Sequence, residues 1–327
     1  MIGCGMSGMV HRTPCGTMVK KSIAAWRVDD YLLRMNHEHL RNEIAIYKHL
    51  PQNHPRLLRF CDSFDDGAGV GADNVWLTLE YMPNGTLMEY LRGYAYNDYR
   101  NRPRSERDVT EAEFAVRVRP RHDSIPLRQR ARWCLEAADG VVLLHAHNII
   151  HAGIKPENMG LDASLSVRLL DFAGSAAPGG KALTLESTGY YLPRASWEIV
   201  NATTDCFALG SSIYHIVTGY RPHDGVEDDE VDARFERGEF PDLSGKTREH
   251  DVTEAGNDDT TGVSPVSGQL LFAETINKCW HGAFATSADV LDALKKEVLA
   301  TFNQEDLSFI EDASGLNLRD MGGINWQ

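Results

Sequence analysis

Two short polar motifs at a fixed separation constrain this chain more than any other feature. His151-Ala152-Gly153-Ile154-Lys155-Pro156-Glu157-Asn158 is followed, twelve residues later, by Asp171-Phe172-Ala173-Gly174. A third motif opens the chain: Gly3-Cys4-Gly5-Met6-Ser7-Gly8-Met9-Val10 has the form G-x-G-x-x-G-x-V. Glycines there let backbone amides approach phosphate oxygens closely, and the valine is placed to cover a base. A dinucleotide-binding reading requires a strand before the glycines and a helix after them. Only Met1-Ile2 precede, and a strand hairpin is predicted to follow, so that reading fails.

The length of 327 residues suits one two-lobed domain or two small ones. With 42% hydrophobic and 24% charged residues the composition is that of a globular protein. No run approaches the roughly 20 apolar residues that span a bilayer. The Gly- and Met-rich N-terminus reads as a loop and not as a signal peptide. A formal charge of −14 argues against a general nucleic-acid or anionic-membrane surface, so neither is expected as a partner. Six scattered cysteines form no CxxC pair and no zinc spacing, and are expected to be reduced and structural. A cytoplasmic or nuclear location follows as the expectation.

Residues 3 to 21 read as strand–turn–strand about Thr13-Pro14-Cys15-Gly16, and Leu40, Ile44, Tyr47 and Leu50 predict a helix over 36 to 50. An alternating run at 75 to 79 ends in the turn signal Met82-Pro83-Asn84-Gly85. Helices are expected over 127 to 147 and 205 to 219, with a last one capped at Thr286-Ser287 and running past Leu294. Residues 95 to 126 carry seven arginines with little apolar periodicity and read as an insertion. The Gly/Thr/Asp-rich stretch 244 to 268 reads as a mobile loop, and the six acids within 224 to 232 as a solvated face.

The K-P-E-N of 155 to 158 and the D-F of 171 to 172 resemble the catalytic loop and metal-binding motif of serine/threonine protein kinases. Further elements fall in the family's order, from about residue 2 to 295. Lys20 follows the Gly-rich hairpin, and Glu43 sits on the next helix. Leu79-Glu80-Tyr81-Met82 resembles the gatekeeper and hinge, and Asp205-Cys206-Phe207-Ala208-Leu209-Gly210 a buried helix start. Tyr191-Leu192-Pro193-Arg194 and Lys278-Cys279-Trp280-His281-Gly282 look most like kinases of filamentous fungi.

The resemblance implies an α+β, bilobal protein-kinase fold with a small β-rich N-lobe over 1–82 and a larger helical C-lobe over 83–300. Residues 301–327 are left as a C-terminal tail. It implies ATP and Mg2+ as cofactors and a protein substrate or regulated partner. Gly3, Gly5, Gly8 and Val10 would cover the nucleotide, and Lys20 paired with Glu43 would neutralise its α- and β-phosphates. Glu80 and Met82 would offer backbone hydrogen bonds to adenine. Asn158 and Asp171 would give oxygen ligands to magnesium, a hard cation, and Lys155 would meet the γ-phosphate.

The departures from the family pattern are as informative. Gly153 replaces the aspartate that accepts the substrate's hydroxyl proton, a contribution typically worth about 10²–10⁴-fold. Met18 would stand in the adenine roof, two residues before Lys20, and Gly160 in its floor. Ala173 replaces a glycine and is expected to disfavour flipping of its segment. The A-P-E motif and its late-helix arginine partner are not recognisable. These features predict a nucleotide-binding pseudokinase or a strongly attenuated kinase. The alternatives are an active serine/threonine kinase, or a non-nucleotide module whose pocket Met18 fills.

Overall fold

The computed structural model describes residues 3–5, 8–23, 30–67, 75–93, 124–196, 198–245 and 268–322. Most of the expected insertion at 95 to 126 and of the loop at 244 to 268 lies outside these residues. The N-terminal portion is an antiparallel five-stranded sheet in the order β1-β2-β3-β5-β4. Its strands are β1 (Gly3–Gly5), β2 (Gly8–Arg12), β3 (Met18–Ser22), β4 (Phe60–Asp65) and β5 (Val75–Glu80). The turn between β2 and β3 closes on a bond from Gly16 N–H to the Thr13 carbonyl (2.9 Å).

Helix α1 (Asp30–His49) lies between β3 and β4 in the chain and starts six residues earlier than its apolar spacing predicts. It buries Leu40, Glu43, Ile44, Ile46 and Tyr47. The six exposed or half-exposed residues before Asn36 carry too little apolar periodicity to reveal the extra turns.

The C-terminal portion is helical. It begins with α2 (Leu87–Arg92), which Thr86 and Glu89 close in a capping box. Helix α3 (Leu127–Ala146) is its axis, with sixteen of its twenty residues buried. Polar residues on α3 are buried with partners, as burial of charge requires. Glu136 takes Arg132 at 3.0 Å and the Val167 N–H at 2.8 Å, and Asp139 takes Arg56 at 2.7 Å.

A short ribbon of β6 (Met159–Leu161) and β7 (Val167–Leu169) lies against α3. Helix α4 (Ala202–Thr218) is buried almost throughout, as its apolar composition predicts. The acidic run becomes α5 (Asp228–Glu236), which turns its acids outward while burying Val231 and Phe235. Helices α6 (Ala273–Trp280) and α7 (Ser287–Thr301) follow, the latter capped at Thr286 as expected. The tail contains a further helix, α8 (Gln304–Ser314), packed on α3 through Leu307, Ile310 and an Arg128–Asp306 pair at 3.0 Å. A small sheet layer with one helix above a helical layer is the expected α+β, bilobal kinase architecture. No described helix is long and apolar enough to cross a membrane.

Candidate active site

Strand β3 sets the first half of the site through its alternation. Val19 and Lys21 are buried, whereas Met18, Lys20 and Ser22 are half-exposed. Antiparallel pairing places Lys21 opposite Val10 and Leu77, and Val19 opposite Leu79, on the inner face. Lys21 Nζ lies 2.6 Å from Glu43 Oε2 and 2.8 Å from Asp171 Oδ1. Lys20 points the other way, its ammonium 4.5 Å from the centre of the Trp76 ring.

The expected pairing of Lys20 with Glu43 is therefore corrected by one residue: Lys21 makes it. The roof position moves with it, from Met18 to Val19. Met18 is on the Lys20 face, so the reading in which it fills the pocket loses its basis. The signal for the right register was present in the sequence, since Val19 is the apolar β-branched residue that shares parity with Lys21 and not with Lys20.

Burial opposes the Lys21 charge, but Asp171 and Glu43 outweigh it and hold the ammonium above its usual pKa. Burial also opposes ionisation of Asp171, yet Lys21 holds its carboxyl below the usual range. Lys21 and Glu43 thus form a buried pair, in which burial raises the Glu43 carboxyl against the pull of Lys21. Asp171 joins them with a side chain 39% exposed and able to face a ligand.

Gly8 begins β2 at φ +148°, and a Cβ there would lie 2.5 Å from the Ser22 carbonyl oxygen. Only glycine permits that approach of β2 to β3. Gly3 and Gly5 lie on β1, paired with Val10 and Gly8, which brings the glycine-rich segment onto the edge of the sheet.

The residues expected as floor and hinge, Gly160 and Met82, pack against each other. A Cβ at Gly160 would fall 2.6 Å from Met82 Cγ and 3.2 Å from Met82 Sδ. Met82, 8% exposed, therefore fills the volume that a side chain at 160 would take. The small floor residue and the hinge methionine are one packing solution, which reading each position separately does not reveal. The Met82 N–H has no acceptor among the described residues, whereas the Glu80 N–H already donates to the Arg59 carbonyl (3.0 Å). The Glu80 amide is thus spoken for, while its side chain accepts from Arg59 N–H at 2.9 Å.

The catalytic-loop segment is held from below by Asp205, whose carboxylate accepts from the N–H groups of His151 (2.7 Å) and Ala152 (3.0 Å). Ala152 is held at φ +54°, a backbone state that a non-glycine residue adopts only when its surroundings impose it. The His151 ring bonds the Leu170 carbonyl through Nε2 (3.1 Å) and packs 5.3 Å from the Phe172 ring. Phe172 in turn meets Tyr47 of α1 at 5.0 Å, and Tyr47 stacks on Phe60 of β4 at 5.9 Å. A column of packed rings thus runs from His151, whose backbone Asp205 of α4 holds, through Phe172 and Tyr47 to Phe60 of the sheet.

Lys155 Nζ donates to Ser187 Oγ at 2.7 Å, and Asn158 Nδ2 donates to the Gly153 carbonyl at 2.8 Å. Gly153 itself presents no side chain. A Cβ built there would meet Asn158 Nδ2 and His151 Nδ1 at 3.4 Å, ordinary to slightly tight contact, and its φ is not in the left-handed region. A Cβ therefore fits at 153 without rebuilding the backbone of the loop.

Arg194 fastens the segment that follows Asp171 to itself. Its Nη2 pairs with Glu186 Oε2 at 2.7 Å, and its guanidinium lies 4.5 Å from the centre of the Tyr191 ring. The local pair anchors the segment without a late-helix arginine. Beside it, a cavity of about 450 Å³ is lined by Glu186, Thr188, Tyr191 and Arg194 among others.

Comparison with known proteins agrees with this geometry. A family model described as "Protein kinase domain" matches residues 1–254. Among curated proteins, "Aurora/IPL1-related protein kinase 2" of Caenorhabditis briggsae is 29% identical over 248 residues, covering 73% of this chain and 65% of that protein. "Serine/threonine-protein kinase ATG1b" of Arabidopsis thaliana is 28% identical over 218 residues, covering 64% of this chain and 25% of that one. "Aurora kinase A-A" of Xenopus laevis is 28% identical over 205 residues, covering 62% and 42%. The aligned stretch thus spans between a quarter and just under two thirds of these relatives. With the family model covering more than half of its length, the chain belongs to the protein kinase domain family.

Proposed function

We propose that this kinase domain binds ATP with magnesium and acts as a pseudokinase or a strongly attenuated serine/threonine kinase. The observation that carries the reading is the contrast between two halves of one site. Lys21, Glu43 and Asp171 form an intact charged set, while Gly153 leaves no group to accept a hydroxyl proton. Asp171 and Asn158 would hold the metal. Asn158 spends its amide N–H on the Gly153 carbonyl, which leaves Oδ1 for a hard cation. No cluster of three or more His, Cys, Asp or Glu side chains that would hold a metal occurs among the described residues. Magnesium that shares its ligands with nucleotide phosphates needs only one or two protein carboxylates. When bound, the ion would offset phosphate charge.

An active serine/threonine protein kinase is the second reading. It draws on Lys155, held on Ser187 beside the loop, and on the surviving Lys21 set. Both readings require nucleotide binding. ATP that binds only the folded protein adds about 2.7 kcal/mol of stability at a concentration a hundredfold above Kd, and so raises its melting temperature. Magnesium-dependent stabilisation by ATP is expected in the natural chain and absent in Asp171→Asn. Equal melting temperatures with and without magnesium-ATP in the natural chain would remove both readings and leave a structural module.

A further inference from the structure

Asn42 precedes Glu43 on α1, so its side chain leaves the helix about 100° away from that of Glu43. Its amide nitrogen lies 3.3 Å from the Phe172 carbonyl oxygen, 3.2 Å from that of Ala173 and 2.8 Å from that of Ser175. Three acceptors converge on one atom, which fixes that atom as the nitrogen and excludes the flipped amide. The same segment begins with Asp171 at φ +65°, a left-handed state that costs a non-glycine residue and persists only where neighbours over-determine it. Phe172 is fully buried and gives one constraint, and Lys21 on the carboxylate gives another. Both act on side chains. Asn42 grips the backbone that follows the strained residue from α1, where its neighbour Glu43 also accepts from the Phe172 N–H.

We propose that Asn42 is a positioning residue for the metal-binding carboxylate, fastening segment 172–175 to α1 so that Asp171 is presented to magnesium. The inference rests on the reading that the domain binds magnesium-ATP. It also carries a consequence for α1. Glu43 steadies Lys21 and Asn42 steadies the Asp171 segment, so displacement of this one helix disables the phosphate-binding lysine and the metal carboxylate together. Ala173 fits the same purpose, since its Cβ is accommodated at 4% exposure and narrows the backbone states open to the segment.

The test compares Asn42→Leu and Asn42→Asp with Asn42→Gln in the full chain. Leucine is of similar size and donates nothing, aspartate is isosteric but accepts only, and glutamine keeps the amide. Affinity for ATP is measured by calorimetry with magnesium and with chelator. Amide exchange is followed by mass spectrometry across 171–176, where the N–H groups of Ser175 and Ala176 are bonded to Phe172 and Ile150 carbonyls.

Leucine and aspartate are expected to weaken magnesium-ATP binding about tenfold or more, as for other outer-sphere partners of metal ligands, with little change in chelator. Both should speed exchange in 171–176 but not in α4, and glutamine should restore affinity at least in part. Equal losses with and without magnesium, or unchanged exchange in the leucine and aspartate variants, would overturn the proposal. If the natural chain binds no magnesium-ATP, the functional reading fails on its own, and the exchange data still decide whether Asn42 fastens the segment.

Discussion

Lys20 and Lys21 are neighbours in sequence with opposite surroundings, because a strand turns successive side chains to opposite faces. Lys21→Met is expected to abolish magnesium-dependent ATP binding, read as loss of ligand-induced stabilisation. It should also destabilise the free protein, because Glu43 is left buried without its partner, a loss typically of about 3–5 kcal/mol. Lys20→Met forfeits only a cation–π contact of about 0.5–1 kcal/mol and is expected to bind nucleotide normally. The reverse pattern would restore Lys20 as the phosphate-binding residue. Motif spacing alone cannot separate two adjacent lysines, whereas parity with Val19 and pairing with Val10 can. Gly160 and Met82 couple in the same way. Gly160→Leu should cost about 1–3 kcal/mol through overpacking. Combined with Met82→Ala it should recover part of that loss, as a coupling of about 0.5–3 kcal/mol in a urea-unfolding cycle. Strict additivity would show that Met82 does not fill the floor.

At the scale of elements, β2, β3 and β5 and the helices α1, α3 and α4 were legible because their apolar residues keep a period, whereas the short strands β4, β6 and β7 gave no such signal. Helix α7 was legible from its cap, where Thr286 and Asp289 exchange hydrogen bonds with each other's backbone. Helix α8 was not. Leu307 and Ile310 are its only buried hydrophobic residues, and it becomes a helix in context, through Asn303 capping Asp306 N–H and through α3 beneath it. The turn between α1 and β4 was equally silent in sequence, yet it ties the two lobes. Arg56 there bonds Asp139 of α3 and the Ser314 carbonyl of α8. Burial, and then the charge of Arg56, holds the neighbouring His54 down to about 4 from its ordinary 6.5. The unfolded chain then binds the proton more readily than the folded one. Stability is expected to fall as pH drops from about 6.5 towards 4, and to level off below. His54→Asn, which keeps an acceptor for the Arg56 N–H, should flatten that slope in melting temperature against pH. An unchanged slope would place the acid sensitivity elsewhere.

Across the whole molecule, the two lobes meet through a small number of continuous contacts. The column from Asp205 through His151, Phe172 and Tyr47 to Phe60 joins α4 to the sheet, and Lys21–Asp171 closes the front. The ordered motifs revealed this bilobal plan. The compensations at 82 and 160, at 186 and 194, and at 42 were hidden, because each joins residues that no local pattern connects. All of this machinery is assembled around a glycine. The account holds that Gly153 is the decisive defect, set in a loop whose backbone leaves room for a Cβ. The direct measurement is transfer of labelled phosphate from ATP to a generic protein substrate, comparing the natural chain with Gly153→Asp. Slow or undetectable transfer by the natural chain is expected, with a gain of about 10²–10⁴-fold in the variant. Equal, efficient transfer by both would contradict the account and establish an active kinase that dispenses with a carboxylate at 153. Absence of transfer from both would contradict it differently, moving the defect away from Gly153.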